Sequence, residues 1–322
     1  MELHLHKYLL LLLSVILLFA CSSEEEMPPE IDTDRAVIEQ MLDIAEENSI
    51  NKLTLDWTMV DMTVLARYDA AGFDAAVLAL LQELGDNHSS YFAVDGARIG
   101  FSTVSCDQDI FLNAIIEEQI GYVSVSAFVG TQAEGERFAE NIQRDIARQD
   151  VPGLKGWIID LTTNSGGNMY PMVAGLGPIL GPGIHGYFLS PDGVETPWGY
   201  TENGSYAGSQ TNIILRVRSS YTVLDPDLKI AVITDGRTAS SGEATAISFL
   251  GRPNTLFIGR PTCGLSTANV AYELSNGGQF ILTVATMADR NKTPFGNQII
   301  PDIETTDEQM IASEIVAWMN ED

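Results

Sequence analysis

Twice in its second half the chain leaves a short, nearly continuous apolar run, crosses a turn of small and polar residues, and enters a helical pattern. The first passage is Gly156-Trp157-Ile158-Ile159-Asp160-Leu161, then Thr162-Thr163-Asn164-Ser165-Gly166-Gly167-Asn168, with a helical pattern from Met169. The second is Lys229-Ile230-Ala231-Val232-Ile233-Thr234, then Asp235-Gly236-Arg237-Thr238, with a helical pattern from Ala239. Apolar runs of this length, bounded by turn residues, are what strands buried on both faces look like. Further strand patterns fall at Gly121 to Val125, Thr255 to Gly259 and Phe280 to Val284. Between the first of these and Gly153 a helix is marked by Phe138, Ile142 and Ile146 at every fourth position. Strands and helices that alternate from about residue 120 onward imply an α/β core.

The two junctions also constrain chemistry. Ser240 and Ser241 sit where a strand hands over to a helix. The first turn of a helix offers unpaired backbone N–H groups and the positive end of its dipole. A serine there either caps the helix or acts as a nucleophile whose oxyanion those N–H groups hold. Gly166 and Gly167 let the other turn aim its N–H groups at a ligand, or simply make a tight connection. It is not a phosphate loop, because no Gly-Lys-Ser/Thr follows.

Of 322 residues 45% are hydrophobic, as in a globular protein, and 44 acidic against 17 basic residues give a formal net charge of −27. Such a chain is unsuited to nucleic acid or to anionic headgroups. Residues 1–20 read as a secretory signal: Lys7 precedes an apolar run, Tyr8 to Ala20, that is too short to span a bilayer comfortably. The run closes with Leu18-Phe19-Ala20-Cys21, which resembles a bacterial lipobox and implies lipidation of Cys21, so that the membrane is met through the lipid anchor alone. The acidic residues that follow resemble the surface-export signal of Bacteroidetes lipoproteins, and 21–33 reads as a tether. These features imply a bacterial envelope protein of the outer membrane. Cys106 and Cys263 read as structural; an exported protein allows a disulfide, but spacing alone does not place them together.

Helical patterns over residues 33 to 48, 57 to 68 and 74 to 84 make a small N-terminal helical subdomain, placed at 34–92, ahead of an α/β core at 93–322. Gly85 suits a helix C-cap, which makes Asp86 to Ser90 a polar turn. Only four histidines occur, His4, His6, His88 and His185, and two lie in the signal. His88 therefore leads the candidates for a general base. Residues 181 to 227 read as a β-rich excursion, where His185 falls in a strand and is read as structural. A terminal helix is expected from about Asp307 to Met319.

Four stretches in order then resemble one family. Asp160-Leu161-x-x-Asn164-x-Gly166-Gly167, Thr238-Ala239-Ser240-Ser241-Gly242-Glu243, Gly259-Arg260-Pro261-Thr262-Cys263-Gly264 and Ile300-Pro301-Asp302 are similar to the signature segments of the tail-specific (C-terminal-processing) serine peptidases, peptidase family S41. The resemblance spans roughly residues 80 to 305 and places the nucleophile on Ser240. It implies a crotonase/ClpP-like core of mixed β-sheet and helices. The family's PDZ module does not fit the span between Phe92 and Ile120. One departure is chemical. Where the bacterial enzymes carry the lysine of a Ser/Lys dyad this chain has Leu265, and Asn269 stands where a glutamine is expected. Leucine cannot take a proton. The lysine-less relatives, tricorn-core peptidases and interphotoreceptor retinoid-binding protein repeats, are then the nearer likeness, and tricorn's histidine corresponds in position to His88.

The resemblance implies a serine endopeptidase of exported peptides or proteins. Ser240 forms the acyl-enzyme and His88 is general base. N–H groups of Gly166 or Gly167 and of Ser241 form the oxyanion hole, and no metal or cofactor is called for. Asp86, Glu243 and Asp302 are the candidate carboxylates to orient the imidazole. The rival reading is a non-catalytic binding protein for a peptide or apolar ligand on the same fold; a crotonase-like acyl-CoA enzyme is a third.

Overall fold

The computed structural model describes residues 33–107, 110 and 119–321. The expected signal at 1–20, Cys21 and the tether up to residue 32 lie outside these described residues. In chain order the elements are α1 (Thr33–Asn48), α2 (Trp57–Ala71), α3 (Phe73–Leu84), β1 (Ser90–Phe92), β2 (Arg98–Gly100), β3 (Ile120–Ser124), α4 (Gln132–Gln149), β4 (Gly156–Asp160), α5 (Met169–Leu180), β5 (Gly183–Leu189), β6 (Glu195–Thr201), β7 (Gly204–Ala207), β8 (Ile213–Arg216), β9 (Lys229–Thr234), α6 (Ser241–Ile247), β10 (Thr255–Gly259), β11 (Thr267–Glu273), β12 (Gln279–Asp289), β13 (Ile303–Glu304) and α7 (Glu308–Met319).

Side chains fix several of these ends. Thr131 and Glu134 form a reciprocal capping box at the start of α4, where the Glu134 carboxylate accepts from Thr131 N at 2.8 Å. Asn168 caps α5 by accepting from Tyr170 N at 3.0 Å. Gly85 closes α3 in the left-handed region at φ +63°, as its place in the sequence suggested.

Two sheets result. Five strands in the order β13-β10-β9-β4-β3 are all parallel. The other sheet is antiparallel and runs β2-β1-β12-β5-β6-β7-β8, with β11 paired along β12. β1 and β5 share one side of β12, at Gln279–Ile281 and Thr286–Asp289, while β11 covers the other side from Gln279 to Thr286. β11 is therefore an edge strand. The strand expected at Phe280 to Val284 extends to Asp289, because β5 supplies partners for residues 286 to 289.

Every residue of β4 is buried, as the apolar run requires, and its alternation divides the core. Trp157 and Ile159 pack with Ile230 and Val232 against α4, α5 and α6, and through them against Trp198, Tyr200 and Met287 of the antiparallel sheet. Ile158 points the other way and packs with Ala231, Ile233 and Ile258 under Ile311 and Ile315 of α7. Each such side chain contributes about 1.5–3 kcal/mol by leaving water. The three N-terminal helices bury Ile38, Met41, Val77 and Leu80 against Phe280 and Leu282 of β12. The chain is thus the expected mixed α/β core with N-terminal helices, and these helices sit on the sheet that contains β11.

Candidate active site

The turn between β9 and α6 is held by its own hydroxyls. Thr238 Oγ1 donates to Leu161 O at 2.9 Å and accepts from Asp235 N at 3.1 Å. Ala239 N donates to Asn164 O at 3.0 Å, so the two strand–helix junctions identified in the sequence are bonded to each other. They meet so closely that a Cβ on Gly242 would stand 2.3 Å from Asn164 O. Ser240 sits at their meeting point with φ +53° and ψ −115°. That conformation costs a non-glycine residue about 1–3 kcal/mol and persists only where the surroundings impose it.

Glu243 supplies the constraint. Its fully buried carboxylate accepts from Ser240 N at 2.9 Å and Leu265 N at 2.8 Å through Oε2, and from Thr262 Oγ1 at 2.6 Å and Gly264 N at 3.0 Å through Oε1. Burial pushes the Glu243 carboxyl up to about 7, against the opposing pull of these four bonds. The helix that opens after Ser240 is thus tied to the Thr262–Leu265 segment through one side chain.

The oxyanion expectation is narrowed. Gly166 N already donates to Asn164 Oδ1 at 3.1 Å, so of Gly166 and Gly167 only the second retains its N–H for a ligand. Gly167 N and Ser241 N have no hydrogen-bond partner among the described residues. Gly166 still matters sterically, because a Cβ there would lie 2.9 Å from Ser240 Cβ. Gly167, at φ +108°, passes so near Phe128 O that a Cβ would stand 2.0 Å from it. Ser241 Oγ donates to Gly167 O at 2.6 Å. This fastens the two N–H-bearing segments together, while Ser240 faces Glu243 across the first turn of α6 in a capping-box arrangement.

His88 is set by the turn that follows α3. Asp86 Oδ1 accepts from His88 N at 2.8 Å and Ser89 N at 2.7 Å, and Asp86 Oδ2 accepts from Ser89 Oγ at 2.6 Å. The ring nitrogen Nδ1 lies 2.8 Å from Thr267 Oγ1, on the first residue of β11. Asn269 Nδ2 donates to His88 O at 3.3 Å. Burial lowers the imidazole pKa to about 4; the nearby Asp86 raises it and Arg98 lowers it further. The ring is therefore neutral at neutral pH. In the tautomer whose Nδ1–H donates to Thr267, Nε2 presents its lone pair.

None of the three candidate carboxylates takes the ring hydrogen bond. Asp86 holds backbone, Glu243 holds Ser240 and the Thr262–Leu265 segment, and Asp302 Oδ2 accepts from Phe257 N at 2.8 Å in the parallel sheet. The partner that sequence reasoning missed is the Thr267 hydroxyl; the search was for a carboxylate, and a threonine opening a strand reads as ordinary β-branched packing. His185 is buried, with Nε2 3.0 Å from Gly181 O and Arg290 Nη2 3.5 Å from Nδ1. These contacts fit the structural role assigned to it.

Ser240 and Thr267 line one cavity of about 1040 Å3. One wall is β11 from Thr267 to Tyr272, another is made by Met169 and Tyr170, and apolar surface comes from Phe188, Val284 and Met287. Lys52 and Asp192 also border it and are ion-paired at 2.5 Å, joining the turn after α1 to the β5–β6 hairpin. Cys106 and Cys263 form a disulfide with a Cα–Cα distance of 4.9 Å. Among the described residues no cluster of metal-binding side chains occurs, and no helix is long and apolar enough to cross a membrane.

The family model described as peptidase family S41 matches residues 119–305, a span that contains Ser240, Glu243 and both glycines but not His88. A nisin-resistance protein of Lactococcus lactis subsp. lactis is 31% identical over 204 residues, 62% of this chain and 61% of that protein. The chain thus spans under two thirds of that relative's length. Among solved structures, a lipoprotein from Streptococcus agalactiae superposes with a TM-score of 0.69 at 21% identity, covering 90% of this chain and 97% of that one. Mature CPAF complexed with lactacystin gives 0.55 at 11% identity, with 90% and 99% covered. The photosystem II D1 C-terminal processing protease gives 0.52 at 12%, with 88% and 97% covered. At these identities the superpositions speak for the fold.

Proposed function

The chain belongs to peptidase family S41, and from that premise we propose that it is a serine endopeptidase, with Ser240 as nucleophile and His88 as general base. The observation that carries the reading is Ser240 itself. It is forced to positive φ on the wall of the cavity, beside the unbonded N–H groups of Gly167 and Ser241.

Ser240 Oγ attacks the peptide carbonyl while its proton passes to His88 Nε2. Negative charge on the carbonyl oxygen is met by Gly167 N and Ser241 N. Collapse expels the amine, which takes the proton back from His88, and water releases the acyl group by the same route. Thr267 takes the place of the usual carboxylate. The edge of β11, one wall of the cavity, offers main-chain groups to an extended peptide, and the apolar wall at Phe188, Val284 and Met287 suits apolar side chains. The strongly acidic chain favours approach by a cationic peptide.

The likeness to a nisin-resistance protein makes nisin the first substrate to test. The likeness to a streptococcal lipoprotein supports an envelope location; lipidation of Cys21, a tether at 21–33 and an outer-membrane site are proposed from the sequence alone. The division into a helical 34–92 and a catalytic 93–322 belongs to the same proposal.

Incubation of the full-length chain with nisin and with unstructured peptides, read by mass spectrometry, tests the reading. Cleavage at defined bonds that falls to background in Ser240→Ala, at unchanged melting temperature, is expected. Cleavage that persists in Ser240→Ala removes the assignment. Tight binding without cleavage would favour the alternative, a binding protein for a peptide or apolar ligand.

A further inference from the structure

We infer that residues 102–107 are a positioning strut, which sets the general-base loop against the nucleophile turn through the Cys106–Cys263 disulfide at one end and Asn87 at the other; this rests on the Ser240–His88 reading above. His88 and Ser240 come from distant parts of the chain; one link between them runs through Thr267 and Leu265 to Glu243, and the strut is a second, independent one that holds the backbone of the base loop rather than its ring.

The strut meets the base loop at Asn87, next to His88. Asn87 Oδ1 accepts from both Thr103 N at 2.7 Å and Thr103 Oγ1 at 2.9 Å. Asn87 is itself at φ +61°, a conformation asparagine tolerates better than most residues. At its other end the strut is covalently joined to Cys263. Cys263 N donates to Thr238 O at 2.9 Å, and its neighbours Thr262 and Gly264 both donate to Glu243, which holds Ser240 N. Past the disulfide, Asp107 and Ile110 lie against the Asp235-Gly236 turn. A Cβ on Gly236 would stand 2.6 Å from Asp107 O, and Ile110 N donates to Asp235 Oδ2 at 3.1 Å. Ile110 is then buried with Ile233 and Ile258.

The need for a covalent link follows from exposure. Residues 102–107 are all solvent-exposed and belong to no helix or strand, so burial does little to order them. A disulfide that closes a long loop restricts such a segment without a core of its own. One continuous path then runs from Asn87 through Thr103, Cys106, Cys263 and Glu243 to Ser240. None of residues 102–107 lines the cavity; they act through the loops they join.

The test uses the full-length chain in three forms besides wild type: Cys106→Ala with Cys263→Ala, Thr103→Val with the disulfide intact, and Thr103→Ser. Three quantities are read well below the melting temperature: kcat and KM on one cleaved peptide, the labelling rate of Ser240 by a fluorophosphonate, and the His88 titration by NMR. The strut predicts that the disulfide variant loses about 10- to 100-fold in kcat and in labelling rate at unchanged KM, and that Thr103→Val, which keeps the Thr103 N bond to Asn87 and loses only the hydroxyl bond, loses a smaller part of both. It also predicts that the His88 pKa, lowered to about 4 by burial, moves up towards 6.5 as the loop loosens and water reaches the ring. Thr103→Ser retains wild-type values. Folded variants with wild-type kcat and wild-type His88 titration would overturn the strut, even with a lowered melting temperature. If wild type neither cleaves nor labels, the catalytic reading fails by itself, and the His88 titration still decides whether the strut holds the loop.

Discussion

His88 Nδ1 lies 2.8 Å from the Thr267 hydroxyl, and Thr267 lines the same cavity as Ser240. A neutral hydroxyl thus stands where serine hydrolases commonly place a carboxylate. It can fix the ring's tautomer and direction, but it cannot stabilise an imidazolium by charge. Thr267→Val should lower kcat by at least about tenfold, short of the ~10²–10⁴ that a general base contributes, with KM little changed. Thr267→Ser should keep most of the activity. Steady-state kinetics on one peptide separate these outcomes; equal activity in Val and Ser variants would mean that the hydroxyl does not orient His88.

The pH dependence follows from the same ring. His88 must be unprotonated to accept from Ser240, and burial holds its pKa at about 4. Activity should therefore persist through pH 5 and fall as pH drops through about 4, rather than near 6.5. For stability, both His88, at about 4, and His185, at about 3, have folded-state values below the ordinary 6.5. The unfolded chain takes up protons that the native state refuses. Their contribution is fully present above about pH 6.5 and is lost as pH falls through the folded values. His185→Gln should flatten part of the fall in melting temperature between pH 6 and pH 4, measured beside wild type.

Gly167 carries two independent constraints, φ +108° and the approach to Phe128 O. Gly167→Ala should destabilise the fold by roughly 2–4 kcal/mol and abolish cleavage, since Phe128 must move and the N–H with it. Gly153 is the control. It has φ +88°, but a Cβ there meets nothing nearer than Gln119 Nε2 at 3.7 Å. Gly153→Ala should cost about 1 kcal/mol and leave cleavage intact. Denaturant midpoints measure both.

Glu243→Gln is nearly isosteric but puts an NH2 where two donors converge. Whichever oxygen is replaced, two of the four donors lose their acceptor. A loss of roughly 2–4 kcal/mol is expected, together with a sharp fall in kcat, because Ser240 N is among the groups released or disturbed. A folded, fully active Glu243→Gln would show that Ser240 holds its backbone conformation without this carboxylate.

Much of this architecture is legible in the sequence because it follows from period and burial. The run at Trp157–Ile159 is apolar on both faces, and the structure packs both faces. Ser240 is legible because a serine at a strand–helix junction sits among unpaired N–H groups. Other features depend on what the fold brings near. Gly166 and Gly167 are equivalent in a sequence; only the position of the Asn164 side chain decides which N–H remains available. Thr267 lies far along the chain from His88, and nothing in its neighbourhood advertises a ring nitrogen. Cys106 and Cys263 are joined across 157 residues, a pairing that spacing cannot give.

The central claim is that Ser240 is an activated nucleophile and His88 its base. Treatment of the full-length chain with a fluorophosphonate, followed by intact mass and peptide mapping, tests it most directly. The account predicts one adduct, on Ser240, absent in Ser240→Ala and strongly slowed in His88→Ala. A well-folded wild type that takes no adduct, or an adduct on Ser241 with Ser240 unmodified, would contradict it.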